Sequence, residues 1–278
     1  MSSVSGDRPR GLFRLAGAAL LELMAWRTLT YQLVRAELTR ENARLSLGAL
    51  WWIADPLLQM LVYTILVGVI FARSQPDYPL FILAALIPWK GVASSVSTAG
   101  TAVIGNERIV RQVAFPRVVL PVARLLAEMW RLGIALIVMV TLLFLIWPDR
   151  VSPALLWLPV LAVIQAVFLA PFVIALSAAT VFVRDLANLM RHVIRLGMYL
   201  SPVLYGLDQV LPRLPEAAAV AYGYNPIALL LEAYREVAYH GRSPNVGSMV
   251  LPLIVGLALL PFAMAWFRSL ESRFGKAL

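Results

Sequence analysis

The sequence predicts an all-α integral membrane protein with six transmembrane helices, and three observations support this fold class. The chain of 278 residues is 61% hydrophobic and only 14% charged, whereas soluble domains carry about 25% charged residues. Six apolar stretches approach the roughly 20 residues that a helix needs to cross a bilayer. Lys and Arg lie in the gaps between these stretches, so the net charge of +9 does not indicate a nucleic-acid partner.

The N-terminal segment, 1–49, is predicted to be cytoplasmic and to contain two amphipathic helices. Apolar residues recur at helical spacing between Leu12 and Leu23, which is typical of a helix lying at the membrane interface. A second amphipathic stretch, 31–47, follows it and is too charged to cross a bilayer.

The transmembrane domain is predicted at 50–270, followed by a cytoplasmic tail at 271–278. The fifth span is short and carries Arg191 and Arg195 near its start. The six spans are predicted at 50–72, 79–104, 121–147, 153–183, 190–206 and 248–267.

The distribution of Lys and Arg predicts the orientation of these spans. Sixteen of them lie in one alternating set of gaps, and five lie in the other. Because positively charged loops stay in the cytoplasm, both termini are predicted to be cytoplasmic. The sixteen lie in 1–49, 105–120, 184–195 and 268–278, and the five lie in 73–78, 148–152 and 206–247.

The stretch 105–124 is a basic connection between the second and third spans. It begins as a helix and stops at Phe115-Pro116, because the residue before a proline is pushed out of the α region. It contains four arginines and one acid, Glu107. We expect a short basic helix across the cytoplasmic mouth of the bundle.

The long external gap, 206–247, is predicted to contain an amphipathic helix. Asn225-Pro226 is a helix start, with a cap residue followed by proline at the first helical position, and Gly241 ends the helix. The stripe that contains Leu230 and Tyr234 is apolar. The opposite face is predicted to be polar and consists of Glu232, Arg235, Glu236 and His240.

Two groups of charged residues lie within the predicted spans, where such residues are functional by default. Lys90 either lines a pore for an anionic substrate, or it extends its amine towards the membrane surface or pairs with Asp55. Antiparallel alignment of the first two spans separates this pair by roughly 10 Å along the axis, so a direct contact is not expected. Arg124, Glu128 and Arg131 share one helix face. They form either a structural ion-pair ladder, which we favour, or a phosphate-recognition site.

The chemistry that the chain lacks excludes several functions. It has no cysteine, which excludes disulfides and thiolate metal sites. We find no paired carboxylates and no His close to an acid that would indicate an enzyme. The nearest approach to a phosphate-binding loop, Gly275-Lys276-Ala277, lacks the preceding glycines and the Ser or Thr that holds Mg²⁺. We therefore expect no catalytic residue, no bound metal and no ATP hydrolysis in this chain.

Six motifs in order resemble the permease subunits of ABC exporters for polysaccharides and polyol phosphates, such as O-antigen, capsule and teichoic acid. The resemblance covers about 30–270. The motifs are LGALWWIADPLLQMLVYTILVGVIF, YPLFILAALIPW, VAFPRVVLP, VFVRDL, SPVLY and YNPIALLLEAYREV.

The resemblance implies a homodimeric channel in the bacterial inner membrane and two copies of a separate ATPase that binds ATP and Mg²⁺. It implies a lipid-linked anionic glycan as substrate and external gate helices between spans five and six. The implied ATPase-coupling residues are Glu41, Glu107, Arg108, Arg111, Arg184 and Asp185. The charged and aromatic residues of the spans that we expect along the substrate path are Trp52, Tyr63, Trp89, Lys90, Arg124, Arg131, Tyr199 and Tyr205. The implied external gate contains Tyr224, Asn225, Pro226, Tyr234 and Arg235.

Three alternative functions remain open. The same architecture could export a drug or a small lipid, which the ATPase response to purified substrates would reveal. A membrane-embedded lipid-modifying enzyme would turn over lipid without an ATPase partner. A passive channel would conduct as a lone subunit.

Overall fold

The computed structural model describes residues 24–42, 48–70 and 75–277, and every regular element in those ranges is helical. The all-α prediction is therefore confirmed for these residues, while the predicted interfacial helix at 12–23 lies outside them. In chain order the helices are α1 Arg27–Asn42, α2 Trp51–Thr64, α3 Tyr78–Ala99, α4 Glu107–Gln112, α5 Val119–Ile146, α6 Leu158–Phe182, α7 Leu186–Leu200, α8 Leu207–Val210, α9 Glu216–Gly223, α10 Pro226–Ala238, α11 Val246–Glu271 and α12 Phe274–Ala277. A π-helical segment, Ile65–Ile70, prolongs α2, and 3₁₀ turns occur at Gly48–Leu50, Ile104–Asn106, Pro148–Arg150, Pro153–Trp157 and Leu211–Arg213.

Five helical stretches of the described residues are long and apolar enough to cross a membrane. They match predicted spans one to four and six: Trp51–Gly68, Tyr78–Ala99, Val119–Ile146, Pro153–Phe182 and Val246–Glu271.

The fifth predicted span differs from the others, because α7 has only 15 residues and ends at Leu200. Ser201 then adopts an extended conformation (φ −95°, ψ 153°). It precedes Pro202, and the residue before a proline is pushed out of the α region. The last six residues of the predicted span, 201–206, are therefore not part of the helix.

Helix α3 is the centre of the bundle. Of the residues in the apolar stretch of α3, 72% are buried inside the protein, against 6% of those in Trp51–Gly68, which includes α2. Helix α3 is therefore surrounded by other helices, and α2 lies at the periphery. A Cβ atom at Gly91 would lie 2.7 Å from Nε2 of Gln165 on α6. The small residue thus permits close approach of the two helices, and Gln165 donates a 3.0 Å hydrogen bond to the Pro88 carbonyl.

The two ends of the bundle carry different helices and connecting segments. The basic end carries α1, α4, the start of α7 and α12, and the opposite end carries 75–77, 148–157 and 239–245. An apolar cluster, separate from the main core around α3, lies beneath the basic end. It includes Val110, Phe115, Val181, Phe267 and Phe274.

Candidate functional site

A charged cavity of about 440 Å³ lies between α2, α3 and α5. Its wall combines apolar side chains with four charged residues and several hydroxyls, which is unusual at membrane depth because unpaired polar groups are costly there. The polar residues and the adjacent tryptophan are Trp52, Asp55, Lys90, Ser94, Ser97, Thr98, Glu128 and Arg131.

Lys90 and Asp55 form an ion pair between α3 and α2. The expected separation of roughly 10 Å is therefore wrong, because aligning two spans end to end ignores their crossing and the length of the lysine side chain. The side chains stay 24% and 56% exposed, so the pair borders the cavity and is accessible from it. Whether Lys90 contacts a substrate stays a prediction.

Glu128 is the buried acid of this cavity, with 1% of its side chain exposed. It pairs with Arg131 at 2.6 Å and accepts a 3.2 Å hydrogen bond from the Thr98 hydroxyl. The guanidinium of Arg131 also lies 5.5 Å from the Trp52 ring centroid, within cation–π range. This half of the expected ladder is therefore present.

Arg124 makes a contact that the sequence did not indicate. It pairs with Glu37 of α1, with 11% and 12% of the two side chains exposed, and it donates a 3.2 Å hydrogen bond to Thr101. Since Glu37 lies in the predicted second amphipathic stretch, 31–47, the pair attaches α1 to the start of α5. Helical spacing within α5 could not reveal this pair, because the partner lies 87 positions away in the sequence.

The aromatic residues predicted for the substrate path lie in different environments. Trp89 is 5% exposed and packs against Gly197 of α7, where a Cβ atom would approach its ring to 2.9 Å. Trp89 is therefore inside the bundle and not on the cavity wall. Tyr63 donates from its hydroxyl to the Met198 sulfur at 3.6 Å, and Tyr199 is 57% exposed.

Two tyrosines cap the end of α7. Tyr205 donates a 2.9 Å hydrogen bond to the Tyr199 carbonyl, and Tyr222 donates a 2.8 Å hydrogen bond to the Leu200 carbonyl. Their hydroxyls are 3.1 Å apart. They satisfy carbonyls that a helix end leaves without an intrahelical partner, so Tyr205 has a structural role in this conformation.

The predicted start of α10 is confirmed. The Asn225 side chain accepts hydrogen bonds from the amides of Ile227 at 3.0 Å and Ala228 at 3.5 Å, and Pro226 occupies the first helical position. Tyr224, just before it, is 70% exposed.

The predicted polar face of α10 is wrong for Arg235 and Glu236, which are 0% and 9% exposed. The helix does not lie on a surface, because it packs against α3, α6 and α11. Tyr234 is also fully buried. The inward face is thus wider than one apolar stripe, and the charged side chains on it need partners within the protein.

Arg235 has such partners. Its guanidinium donates to Glu232 at 2.9 Å and to the carbonyls of Pro202 at 2.8 Å and Val203 at 3.2 Å. It also lies 3.9 Å from the Phe81 ring centroid of α3. One side chain therefore holds together α10, α3 and the extended segment after α7.

At the opposite end, a cluster of side chains joins three turns. Asp77 pairs with Arg150 at 2.8 Å, and the Arg150 guanidinium lies 5.2 Å from the Tyr239 ring centroid. Tyr239 donates a 2.7 Å hydrogen bond to the Pro76 carbonyl. Partial burial, reinforced by neighbouring Arg242, lowers the pKa of His240 below its ordinary value.

At the basic end, α4 presents charges outward and an apolar anchor inward. Glu107 and Arg111 pair at 2.8 Å and stay half exposed, Arg108 is exposed, and Val110 is buried. The connection after α4 is fixed to the end of α11, because the Arg117 amide donates a 2.7 Å hydrogen bond to the Glu271 carboxylate.

The predicted coupling segments lie together at this end. Helix α1 and the segment that leads into α4 border a small cleft of about 100 Å³, where Glu37 and Asn106 both contribute to the wall. Arg184 and Asp185 are exposed and directly precede α7, whose Ala187 packs against Gly100 after α3. The side chain of Glu41 lies outside the described residues.

The described residues contain no group of three His, Asp or Glu side chains that could hold a metal ion. Glu37 and three exposed residues of α7, Arg191, His192 and Arg195, were not among the site residues that the sequence predicted. Their spacing of three and four positions was visible in the sequence. The prediction of a continuous span at 190–206 placed the start and end of this helix wrongly and so concealed its exposed polar face.

Comparison with known proteins gives these features a family context. Residues 28–239 match the family described as ABC-2 type transporter. A Klebsiella pneumoniae protein named O-antigen export system permease protein RfbA is 31% identical over 232 residues, which cover 83% of this chain and 87% of that protein. The Myxococcus xanthus protein of the same name is 27% identical over 259 residues, 92% of this chain and 98% of that protein.

Proposed function

Because the chain belongs to the ABC-2 type transporter family, we propose that it is the permease subunit of an ATP-driven exporter of lipid-linked glycan. Two copies form the path across the bacterial inner membrane, and two copies of a partner ATPase bind ATP and Mg²⁺ at the basic end, which faces the cytoplasm. The substrate class follows the names of the relatives, which are O-antigen export permeases.

The observation that carries the proposal is the grouping of α1, α4 and Arg184-Asp185 at one end of the bundle. These three segments expose charged side chains there, while apolar anchors such as Val110 fix them to the spans. An exposed charged surface on a rigid base is what a partner protein needs in order to transmit force. The chain supplies the path and the contact, and the partner supplies hydrolysis.

The contacts of the basic end give the force two routes into the membrane. Movement of α4 reaches α11 through the contact between Arg117 and Glu271. Movement of α1 reaches α5 through the ion pair between Glu37 and Arg124. Helix α5 carries Glu128 and Arg131 on the cavity wall, so the second route leads directly to the charged cavity.

In this proposal, helix α7 and the extended segment after it form the fifth of the six membrane crossings. Ala187 packs against Gly100 at the basic end of α3, and Gly197 packs against Trp89 near its middle. The Leu204 carbonyl then accepts a 3.1 Å hydrogen bond from Tyr78 at the opposite end of α3. The segment 186–204 therefore follows the whole length of α3, which is about 33 Å for 22 residues and is sufficient to cross a bilayer.

The external gate of the proposal is the region around α10. Arg235 connects this helix to the segment at 202–203 and contacts Phe81 of α3. A shift of α7 would therefore move α10 and α3 as well. Tyr224 and the Asn225 cap lie at the exposed start of the same helix. The gate thus opens when the segment after α7 moves.

Charge reversal on α4 tests the coupling role. In the complex with its partner ATPase, Arg111→Glu is expected to lower substrate-stimulated ATPase activity, because it reverses the charge that faces the partner. The exchanged variant Glu107→Arg/Arg111→Glu keeps an ion pair within α4 and should stay impaired. Normal stimulation in both variants would contradict the proposal.

The matched control is Arg213→Glu, which changes an exposed arginine at the opposite end and should leave stimulation unchanged. Co-purification with the ATPase distinguishes loss of coupling from loss of assembly.

A drug or small lipid remains the second candidate substrate, and one observation favours it. An apolar groove of about 360 Å³ lies between α3, α6, α7 and α11, and it is lined almost entirely by apolar side chains, including Phe172 and Trp266. ATPase stimulation by a simple lipid, without a response to a polyprenyl-linked glycan, would support this alternative.

A further inference from the structure

Helix α7 has three distinct faces, which follow from the exposure of its residues. One face is partly buried against the bundle, and the other two are exposed. The partly buried face consists of Leu186, Ala187, Met190, Ile194, Gly197 and Met198. The exposed apolar face consists of Leu189, Val193, Leu196 and Leu200. The exposed polar face, called the basic stripe, consists of Asn188, Arg191, His192, Arg195 and Tyr199.

The basic stripe extends from the basic end of the bundle to the level of the middle of α3. Ala187 lies beside Gly100 at the basic end of α3, and Gly197 lies beside Trp89 near the middle of α3. These ten positions correspond to a climb of about 15 Å along a helix axis. Arg195 is two positions before Gly197, so its Cα lies near the level of the middle of α3.

The charges of the basic stripe are not neutralised within the helix. The sequence of α7, LANLMRHVIRLGMYL, contains no acidic residue. Arg191 donates to the Asn188 side chain, which is a neutral partner. None of the ion pairs found among the described residues joins Arg191, His192 or Arg195 to a carboxylate.

Exposed arginines at this depth cannot remain among acyl chains, because charged side chains within the membrane face a water-filled path or a partner. A second copy of α7 would bring only further positive charge to the same face. The remaining occupant is an anion that passes along the helix. Arginine suits phosphate in particular, because its planar fork can donate two hydrogen bonds to the phosphate oxygens.

We propose that the basic stripe of α7 binds the phosphate groups of the lipid-linked substrate as they cross the membrane. The proposal rests on the proposed function and specifies what part of the substrate the path recognises. Arg191 and Arg195 are one turn apart, about 6 Å along the axis, so a phosphate can pass from one guanidinium to the next. A bulk phospholipid head group does not fit as well, because it stays at the interface while Arg195 lies about 13 Å above the start of α7.

The test uses the complex with its partner ATPase in phosphatidylcholine vesicles. Undecaprenyl pyrophosphate and undecaprenol are the two probes, and ATPase stimulation is the measurement. Arg191→Gln/Arg195→Gln should raise the undecaprenyl pyrophosphate concentration for half-maximal stimulation by about tenfold or more, as expected for loss of charged hydrogen bonds. Arg195→Lys keeps the charge but lacks the planar fork, so it should raise this concentration less than the double variant does. Arg213→Gln is the matched control outside the stripe.

The outcomes separate the inference from the proposed function. A wild-type complex that responds to neither probe would contradict the lipid-linked substrate itself. A wild-type response that the double variant preserves would overturn the basic stripe alone. If the variant instead loses a response to added phosphatidylglycerol and keeps the pyrophosphate response, the stripe binds bulk lipid and the inference is wrong.

A second measurement covers the case in which the double variant fails to assemble. The chain has no native cysteine, so single cysteines can be placed without removing any. Arg191→Cys and Arg195→Cys should react with a water-soluble thiol reagent and be protected by undecaprenyl pyrophosphate, while Leu189→Cys and Leu196→Cys should react slowly. Equal reactivity on the two faces, or no protection, would overturn the inference.

Discussion

Arg235 on α10 and Arg195 on α7 both lie at levels within the length of α3, yet their surroundings are opposite. Arg235 is fully buried, with a carboxylate, two carbonyls and an aromatic ring around its guanidinium. Arg195 is exposed, on a helix without an acid. The protein satisfies the first charge and leaves the second available.

This difference separates two uses of charge within a membrane protein. A buried arginine with partners fixes the arrangement of the elements that supply them, and removal leaves those partners unsatisfied. An exposed arginine stabilises little in the folded chain, so its value lies in what it can bind. Variants of the first kind should therefore affect stability, and variants of the second kind should affect transport.

The largest effect is expected for Arg235→Gln. The substitution leaves the Pro202 and Val203 carbonyls and the Glu232 carboxylate without their cation, and loss of one partner of a buried charge pair costs about 3–5 kcal/mol. The detergent-purified protein should show a markedly lower midpoint of thermal aggregation and a poor yield. Arg213→Gln, on an exposed arginine, is the control. If Arg235→Gln matches wild-type stability but abolishes export, the comparison with Arg195 fails.

The second effect concerns Glu128, whose side chain is 1% exposed. Glu128→Gln keeps the shape of the side chain but removes the charge that balances Arg131, so we expect a loss of about 1–3 kcal/mol. Thermal aggregation measures this loss. Asp55→Asn is the matched control, because the Asp55 side chain is 56% exposed and its loss should cost less. Equal losses would show that burial does not set the importance of these acids.

The sequence predicts the helical class and most spans, because long apolar stretches leave few alternatives in a bilayer. It also predicts the start of α10, since Asn225-Pro226 is a local signal. It does not predict the burial of Arg235, because the partners at 202–203 lie more than thirty positions away. The contacts of Lys90 with Asp55 and of Arg124 with Glu37 likewise depend on how helices cross.

The third effect tests a charge that is intermediate between the two arginines. Lys90 is paired with Asp55 but remains 24% exposed on the cavity wall. Lys90→Met should cost only about 0–1 kcal/mol of stability, as for other accessible pairs, and should impair export more than assembly. The control is Asp55→Asn/Lys90→Met, which removes both charges. Unchanged export in the single variant would assign Lys90 a structural role.

The smallest effect involves His240, a titratable side chain that follows α10 in sequence. Its pKa is lowered in the folded protein by partial burial and by Arg242, so the unfolded chain binds the proton more readily. Stability should therefore fall as the pH drops below the ordinary histidine pKa of about 6.5, and it should be insensitive to His240 above that value. His240→Gln should flatten this part of the profile of aggregation temperature against pH. If the aggregation temperature of the variant falls with pH as steeply as that of the wild type, other groups cause the acid sensitivity. His240 would then not contribute to the pH dependence of stability.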